Sequence, residues 1–355
     1  MIGSRIFVRL VENMATINDF QTRLERFLSD VVQAPTRVTA ARQLTGGASR
    51  ESWAIDVEID GGPESGRHAL VLRRDMGGTI QDEALTRAQE FRMLMAAWQA
   101  GVMVPRPRWL CMDPAVLGVP FFLMDRLEGE SVGRRIVREG SLADARRLLP
   151  RQMGEQAARI HRIDPRQSGL EFLPAAEPGC SAAETALHRA AAQLERFGEP
   201  HPALELAARW LQAHAPACDT PVLVHGDFRI GNLMVGPDGL RGVFDWEFAH
   251  IGDAAEDLAW PCVRSWRFGQ DAQRLGGIGT VEEFLEAYEK AGGKHVDRRE
   301  LYYWEILGNF RWAVGCIAQA NRHLSGQAQS VELVSLGRRT AEMELELLDL
   351  IERGV

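Results

Sequence analysis

The chain has 355 residues, of which 45% are apolar and 25% are charged; it is long enough for two lobes and too apolar to be largely disordered. Its formal net charge of −8 argues against a general binder of nucleic acid or of anionic membranes. No apolar run approaches the roughly 20 residues of a membrane helix, and five dispersed cysteines are typical of reduced thiols. We therefore expect a cytoplasmic protein with no nucleic-acid or membrane partner, for which Met1 and Met14 are both candidate start residues.

The N-terminal third combines helical and strand patterns. A first helix is predicted around residues 17–32, and partial period-two alternation over 37–75, with a glycine-rich turn at 61–66, predicts an antiparallel meander of three strands. Residues 81–100 then change to the helical period. The run "PFFLMDRL" (120–127) predicts a further strand that leads into a polar connector.

From about residue 132 the pattern is mostly helical. The predicted helices cover 132–148, 150–163, 181–197, 202–214, 280–290, 298–325 and 330–352. A small β insert interrupts them near residues 222–245. The predicted fold class is therefore α+β, with a small antiparallel β-rich N-terminal lobe (1–125) and a larger, mainly helical C-terminal lobe (126–355).

The β insert contains a concentration of polar side chains. In "LVHGDFRIGNLMV" (223–235), Asp227 and Asn232 are five residues apart, and Asp245 follows Asp227 by eighteen. The turn "GPDG" predicts that 233–235 and 240–244 pair as a hairpin, which would place Asn232 and Asp245 side by side at one end. Such hard oxygen ligands suit Mg²⁺, and Asp227 is left to accept a proton.

The spacing of "HGDFRIGN" equals that of the protein-kinase catalytic loop, His-Arg-Asp-x-x-x-x-Asn, and "DWE" stands where kinases have Asp-Phe-Gly. Together with "GDAAEDLAW", these blocks resemble the aminoglycoside phosphotransferase and choline kinase-like family, in particular the phosphotransferase domains fused to acyl-CoA dehydrogenases. The resemblance extends from about residue 40 to 325 and implies a protein-kinase-like two-lobed fold. It also implies Asp227 as catalytic base, Arg229 near the γ-phosphate, and Asn232 and Asp245 as ligands of Mg²⁺.

Two segments of the N-terminal lobe stand where the resemblance places nucleotide-binding groups, one of them with a departure. Gly46, Gly47 and Ser49 in "LTGGASRES" form a candidate loop over the nucleotide phosphates. "ALVLRRD" matches the strand that holds the kinase lysine and puts Arg73 at that position, which is a departure because arginine and lysine are not interchangeable. Strand alternation puts Arg74 on the opposite face.

A kinase-like lobe also needs a helical acid paired with that cation and a hinge that binds the base. Glu90 is the preferred acid, with Glu83 as the alternative. Backbone groups of the predicted hinge would bind the purine, and its residues are Met124, Asp125 and Arg126.

Several further residues are candidate members of the site. His225 is expected to order the loop, and Asp253 and Asp257 to brace the catalytic loop and cap a helix. Asp253 is also a candidate acidic lining of an acceptor pocket. Candidate acceptor-lining residues in the late helices are Trp304, Arg311, Trp312 and Arg322.

The resulting hypothesis is transfer of the γ-phosphoryl group of ATP or GTP to a hydroxyl of a small molecule, assisted by Mg²⁺. The resemblance favours a hydroxyacyl-CoA-type acceptor over an aminoglycoside or an amino alcohol. A nucleotide-binding pseudokinase and a metal-dependent phosphohydrolase built on His225, Asp227 and Asp245 are the alternatives.

Overall fold

The structure is a computed structural model that describes residues 19–44, 50–75, 85–217 and 220–354. The predicted phosphate loop (Gly46, Gly47 and Ser49) lies outside these ranges, as does the alternative acid Glu83.

The chain divides into two compact units. The first comprises Met1–Trp98 with Val104–Leu127, and the second comprises Gln99–Met103 with Glu128–Val355. The lobe division predicted after residue 125 thus falls two residues before the first unit ends. The inclusion of Gln99–Met103 in the second unit was not foreseen.

The first unit contains a five-stranded antiparallel sheet in the order β1-β2-β3-β5-β4. Its strands are β1 Thr36–Leu44, β2 Arg50–Ile59, β3 Gly66–Asp75, β4 Pro107–Cys111 and β5 Phe121–Asp125. The predicted three-stranded meander is confirmed. Apolar side chains of the first helix, α1 (19–32), share one core with the alternate buried residues of β2. Strand β4 was not predicted, and it lies at the sheet edge, where its proline is tolerated.

Helix α2 (Arg87–Gln99) begins later than the predicted residue 81. Thr86 and Gln89 explain this start, because the side chain of each accepts a hydrogen bond from the backbone N–H of the other, as in a capping box. On this helix Glu90 is buried, whereas Trp98 is 40% exposed. A short helix, α3 (Pro114–Leu117), lies between β4 and β5.

The second unit is mainly helical. Its helices are α4 Gly133–Arg138, α5 Ala143–His161, α6 Ala182–Glu195, α7 Pro202–His214, α8 Ala254–Ala259, α9 Val281–Lys290, α10 Arg298–Leu324, α11 Val331–Gly337 and α12 Thr340–Arg353. The predicted helices over 181–197, 202–214, 280–290 and 298–325 are confirmed to within two residues at each end. No helix in the described part of the chain is long and apolar enough to cross a membrane.

Two predicted helix boundaries were wrong. The helical break expected between residues 148 and 150 occurs near Gly140 instead, and Pro150 lies inside α5. Pro150 packs closely on Gly279, where an added Cβ would lie 2.5 Å from the proline ring. The single helix predicted over 330–352 is divided into α11 and α12 after Gly337. A Cβ at Gly337 would lie 2.7 Å from Ala320, so this close approach needs glycine.

Four short strands form the β insert: β6 Val222–Val224, β7 Leu233–Gly236, β8 Gly239–Val243 and β9 His250–Gly252. The predicted hairpin is confirmed as β7 paired with β8. The pairing of β6 with β9 was not predicted. Two loops result, 225–232 after β6 and 244–249 after β8, and they carry the polar side chains of the motif.

Candidate active site

The loop after β6 turns sharply at Gly226. This residue has φ +81°, and an added Cβ would lie 2.4 Å from the carbonyl oxygen of Phe248. Only glycine satisfies both the backbone conformation and the close approach. The glycine of His-Gly-Asp is therefore required by the way this loop packs against the neighbouring 244–249 loop.

His225 is fully buried and braces the loop. Its Nδ1 accepts from the backbone N–H of Asp227 (3.2 Å), and its Nε2 donates to the carbonyl oxygen of Phe244 (2.9 Å). Burial lowers the pKa of His225, although the nearby Asp257 and Asp227 oppose that shift. The ring is thus a neutral imidazole with both nitrogens engaged, which agrees with the ordering role predicted for it.

Asp257 on α8 holds the same loop from the other side. Its Oδ1 accepts from the N–H of Gly226 (2.9 Å), and its Oδ2 accepts from the N–H of His225 (2.6 Å) and from His161 Nε2 (3.3 Å). Asp253 caps α8 by accepting from the N–H of Ala255 (2.9 Å). The structure thus divides the two predicted tasks: Asp257 braces the loop, and Asp253 caps the helix.

Asp227 is 8% exposed, and among the described residues three side chains donate to its carboxylate. Oδ1 accepts from Arg229 Nε (2.9 Å) and from Trp260 Nε1 (2.6 Å), whereas Oδ2 accepts from Asn232 Nδ2 (2.5 Å). The guanidinium of Arg229 also stacks on Trp266, 4.3 Å from the ring centre. Trp260 and Trp266 were not predicted as site members. They lie more than 30 residues along the chain from Asp227, and no local pattern marks them.

The hairpin brings Asn232 and Asp245 to the same end, as predicted. The backbone N–H of Phe244 donates to the carbonyl oxygen of Asn232 (2.8 Å), and Asp245 is the next residue. The Nδ2 of Asn232 is bound to Asp227, so its Oδ1 points away from that contact.

Asp245 has a left-handed backbone, φ 63° and ψ 64°, a strained conformation that occurs often at functional sites. Among the described residues, its carboxylate accepts no hydrogen bond and forms no ion pair. The donor set of one amide oxygen and one unpaired carboxylate fits a hard cation such as Mg²⁺ that also binds substrate phosphates.

The first unit contains the predicted cation and acid. Arg73 Nη1 lies 2.6 Å from Glu90 Oε1, and the two side chains are 15% and 1% exposed. Arg74 points to the other face and pairs with Glu51 (2.6 Å), as the strand alternation predicted. Glu90 also pairs with Arg87 one helical turn earlier, a buried contact that was not foreseen.

The predicted hinge needs correction in part. Met124 is buried, and the side chains of Asp125 and Arg126 pair with Arg108 and Asp56, both at 2.6 Å. The backbone N–H of Asp125 donates to the carbonyl of Arg106, and that of Arg126 donates to the carbonyl of Ala69, both at 2.9 Å. Neither N–H is therefore open to a purine, because the sheet already uses these donors.

The late-helix residues assigned to the acceptor site make contacts within the protein. Trp304 Nε1 donates to Asp253 (3.3 Å), and Trp312 Nε1 donates to Ser265 (2.7 Å). Arg311 pairs with Glu256, and Arg322 donates to Gln319 (3.2 Å). All four side chains therefore have partners within the second unit, and their place in the acceptor site stays a prediction.

Comparison with known proteins gives the family context. The sequence profile of the phosphotransferase enzyme family matches residues 40–304. Acyl-CoA dehydrogenase family member 10 of Mus musculus is 32% identical over 295 residues, which are 77% of this chain and 26% of that protein. The chain therefore spans about a quarter of the length of this relative.

Solved structures confirm the predicted kinase-like fold. A Ralstonia eutropha protein crystallised as a candidate aminoglycoside phosphotransferase has a TM-score of 0.73 at 21% identity, over 94% of this chain and 98% of its own. An aminoglycoside 2′-phosphotransferase in complex with GDP has a TM-score of 0.58 at 14% identity, over 87% and 92% of the two chains. A spectinomycin phosphotransferase with ADP and spectinomycin has a TM-score of 0.55 at 13% identity, over 91% and 97%.

Proposed function

Because this chain belongs to the phosphotransferase enzyme family, whose members phosphorylate small molecules, we propose that it transfers the γ-phosphoryl group of ATP or GTP to a hydroxyl of a small molecule. The structural neighbours with bound GDP and ADP support a nucleotide co-substrate and are compatible with either guanine or adenine as its base. The observation that carries the proposal is the convergence of Asp227, Asn232 and Asp245 at one end of the hairpin.

In this proposal Asn232 Oδ1 and the Asp245 carboxylate would hold Mg²⁺, which would neutralise charge on the nucleotide phosphates. Asp227 orients the acceptor hydroxyl and accepts its proton. Arg229 contributes positive charge beside Asp227, and Arg73, held by Glu90, binds nucleotide phosphate in place of the usual lysine. Gly46, Gly47 and Ser49 stay proposed as a phosphate loop, and the carbonyl oxygens near Met124 as purine contacts.

The two alternatives explain fewer observations. In a phosphohydrolase, His225 would bind metal, but both of its ring nitrogens are hydrogen-bonded in the buried loop. A pseudokinase would be expected to lose part of the reactive set. Here Asp227, Asn232 and Asp245 are all present, and Arg73 pairs with Glu90 as the kinase lysine pairs with its acid.

The acceptor is proposed by class only. The relative named for acyl-CoA dehydrogenases makes hydroxyacyl-CoA compounds the first acceptors to test. Aminoglycosides and amino alcohols such as choline or homoserine follow in the same screen.

The proposal is tested by thermal unfolding with ATP, with GTP and without nucleotide, each with and without Mg²⁺. Saturating nucleotide at 100 times Kd adds about 2.7 kcal/mol, so we expect the melting temperature to rise by several degrees, and more with Mg²⁺. Asp245→Asn should reduce the part of the shift that depends on Mg²⁺, because the amide is a weaker ligand.

Asp238→Asn is the matched control, since this aspartate lies in the hairpin turn, paired with Arg241 and 71% exposed. A positive nucleotide shift justifies the acceptor screen, read out as phosphorylated product. A shift with metal alone, or no shift with either nucleotide, would contradict the proposal.

A further inference from the structure

We propose that Trp260 is a positioning residue that fixes the Asp227 carboxylate so that Oδ2, not Oδ1, receives the proton of the acceptor hydroxyl. The inference rests on the proposed function. It concerns which oxygen reacts and which side chain selects it.

The hydrogen bonds of Asp227 divide its two oxygens. A carboxylate has about two acceptor positions on each oxygen. Oδ1 has both occupied, by Trp260 Nε1 at 2.6 Å and Arg229 Nε at 2.9 Å. Among the residues that the structure describes, Oδ2 has one donor, Asn232 Nδ2. The open position of the carboxylate is therefore on Oδ2.

Trp260 itself is held firmly. It is buried and begins a 3₁₀ turn directly after α8. Arg311 lies over its ring at 5.4 Å and is paired with Glu256, which in turn bonds His250 at 3.0 Å. On another side Gly308 approaches so closely that a Cβ there would lie 3.4 Å from the indole. The indole is thus restrained from several sides, and its N–H stays directed at Asp227.

The reaction step balances with this assignment. The acceptor oxygen forms a bond to the γ-phosphorus while the bond between that phosphorus and the bridging oxygen breaks. The electron pair of the broken bond stays on the bridging oxygen and leaves with the nucleoside diphosphate. The hydroxyl proton moves to Oδ2. Without the indole N–H, Oδ1 gains a free position, the carboxylate can rotate, and fewer bound acceptors face a base in the productive orientation.

Indole NMR tests the hydrogen bond without any need for activity. The chain has nine tryptophans, and in ¹⁵N-tryptophan protein the Trp260 signal is the one that Trp260→Phe removes. In Asp227→Asn this signal should move upfield, because a neutral amide is a weaker acceptor than a carboxylate. The Trp210 signal should stay in place, since that ring stacks on His214 in α7. An unmoved Trp260 signal overturns the inference.

Kinetics test the positioning role once an acceptor is known. Trp260→Phe should lower kcat about tenfold or more with nucleotide KM unchanged, because binding does not use this bond. Trp210→Phe should leave kcat unchanged, and melting curves of both variants check folding. A normal kcat in Trp260→Phe, or equal losses in both variants, overturns the inference. Failure of the wild type to phosphorylate any acceptor instead overturns the proposed function, and the catalytic part of this inference with it.

Discussion

At the scale of single residues, the candidate site depends on backbone conformations that few side chains permit. Gly226 has φ +81° and closely approaches Phe248, and Asp245 holds a left-handed conformation that aspartate tolerates better than most residues. Both residues lie beside the reactive groups, so a change in either backbone would move Asp227 or Asp245 directly.

Gly226→Ala should destabilise the protein more than Gly101→Ala. Both glycines have φ near +80°, but an added Cβ at Gly101 meets no atom of the described residues within 4 Å. Both variants therefore carry the left-handed strain of about 1–2 kcal/mol, and Gly226→Ala carries roughly 1–3 kcal/mol more from the clash. Urea unfolding measures the difference, and equal losses would show that the loop moves away without cost.

At the scale of elements, buried ion pairs connect segments that are distant in sequence. Glu256 on α8 pairs with His250 on β9 and with Arg311 on α10. Burial alone would raise the pKa of Glu256, but the charges of His250 and Arg311 outweigh it and lower the pKa to about 2. The three elements are therefore joined by a carboxylate that stays ionised at neutral pH.

Glu256→Gln should lower the free energy of unfolding at pH 7 by roughly 3 kcal/mol, which is the linkage energy of a carboxyl whose pKa falls from 4.5 to about 2. A carboxyl group whose pKa is lowered on folding stabilises the folded protein at pH values above its pKa in the unfolded chain. This contribution is lost as the pH falls toward its pKa in the folded protein. The gap between variant and wild type should therefore close below about pH 4.5. Denaturant unfolding at several pH values measures it.

Glu286→Gln is the control, since Glu286 forms an exposed pair with Lys290 and such pairs contribute little. An equal loss in both variants would mean that burial does not strengthen the Glu256 pairs.

At the scale of the whole molecule, the proposed reaction requires protein and nucleotide to share one cation. In the proposed scheme Asn232 and Asp245 would supply two oxygen ligands, which are few for Mg²⁺ without the phosphates. The stability of the free protein should therefore not depend on a metal at this site.

Addition of EDTA should lower the melting temperature of the nucleotide-bound protein by a few degrees and leave the nucleotide-free protein unchanged. The comparison needs only scanning calorimetry at matched ionic strength. A large drop in the nucleotide-free protein would reveal a resident structural metal and contradict the shared-cation scheme.

The sequence by itself determined the features that depend on neighbours along the chain. The β7–β8 hairpin followed from a turn and local alternation, and its pairing necessarily put Asn232 beside Asp245. The placement of Arg73 and Arg74 on opposite faces of the sheet followed from the two-residue period of a strand. The motif spacing alone was sufficient to indicate the family and the fold.

Tertiary structure decided the contacts between distant segments. Trp260 donates to Asp227, which lies 33 residues earlier in the chain, and Asp257 accepts from the N–H groups of His225 and Gly226. Helix α2 begins at the Thr86–Gln89 cap, whereas periodicity predicts a start at residue 81. The backbone N–H groups of Asp125 and Arg126 donate to the carbonyl oxygens of Arg106 and Ala69. Such contacts form by packing between residues that are distant in sequence. Periodicity and motif spacing carry information only about residues that are close together along the chain.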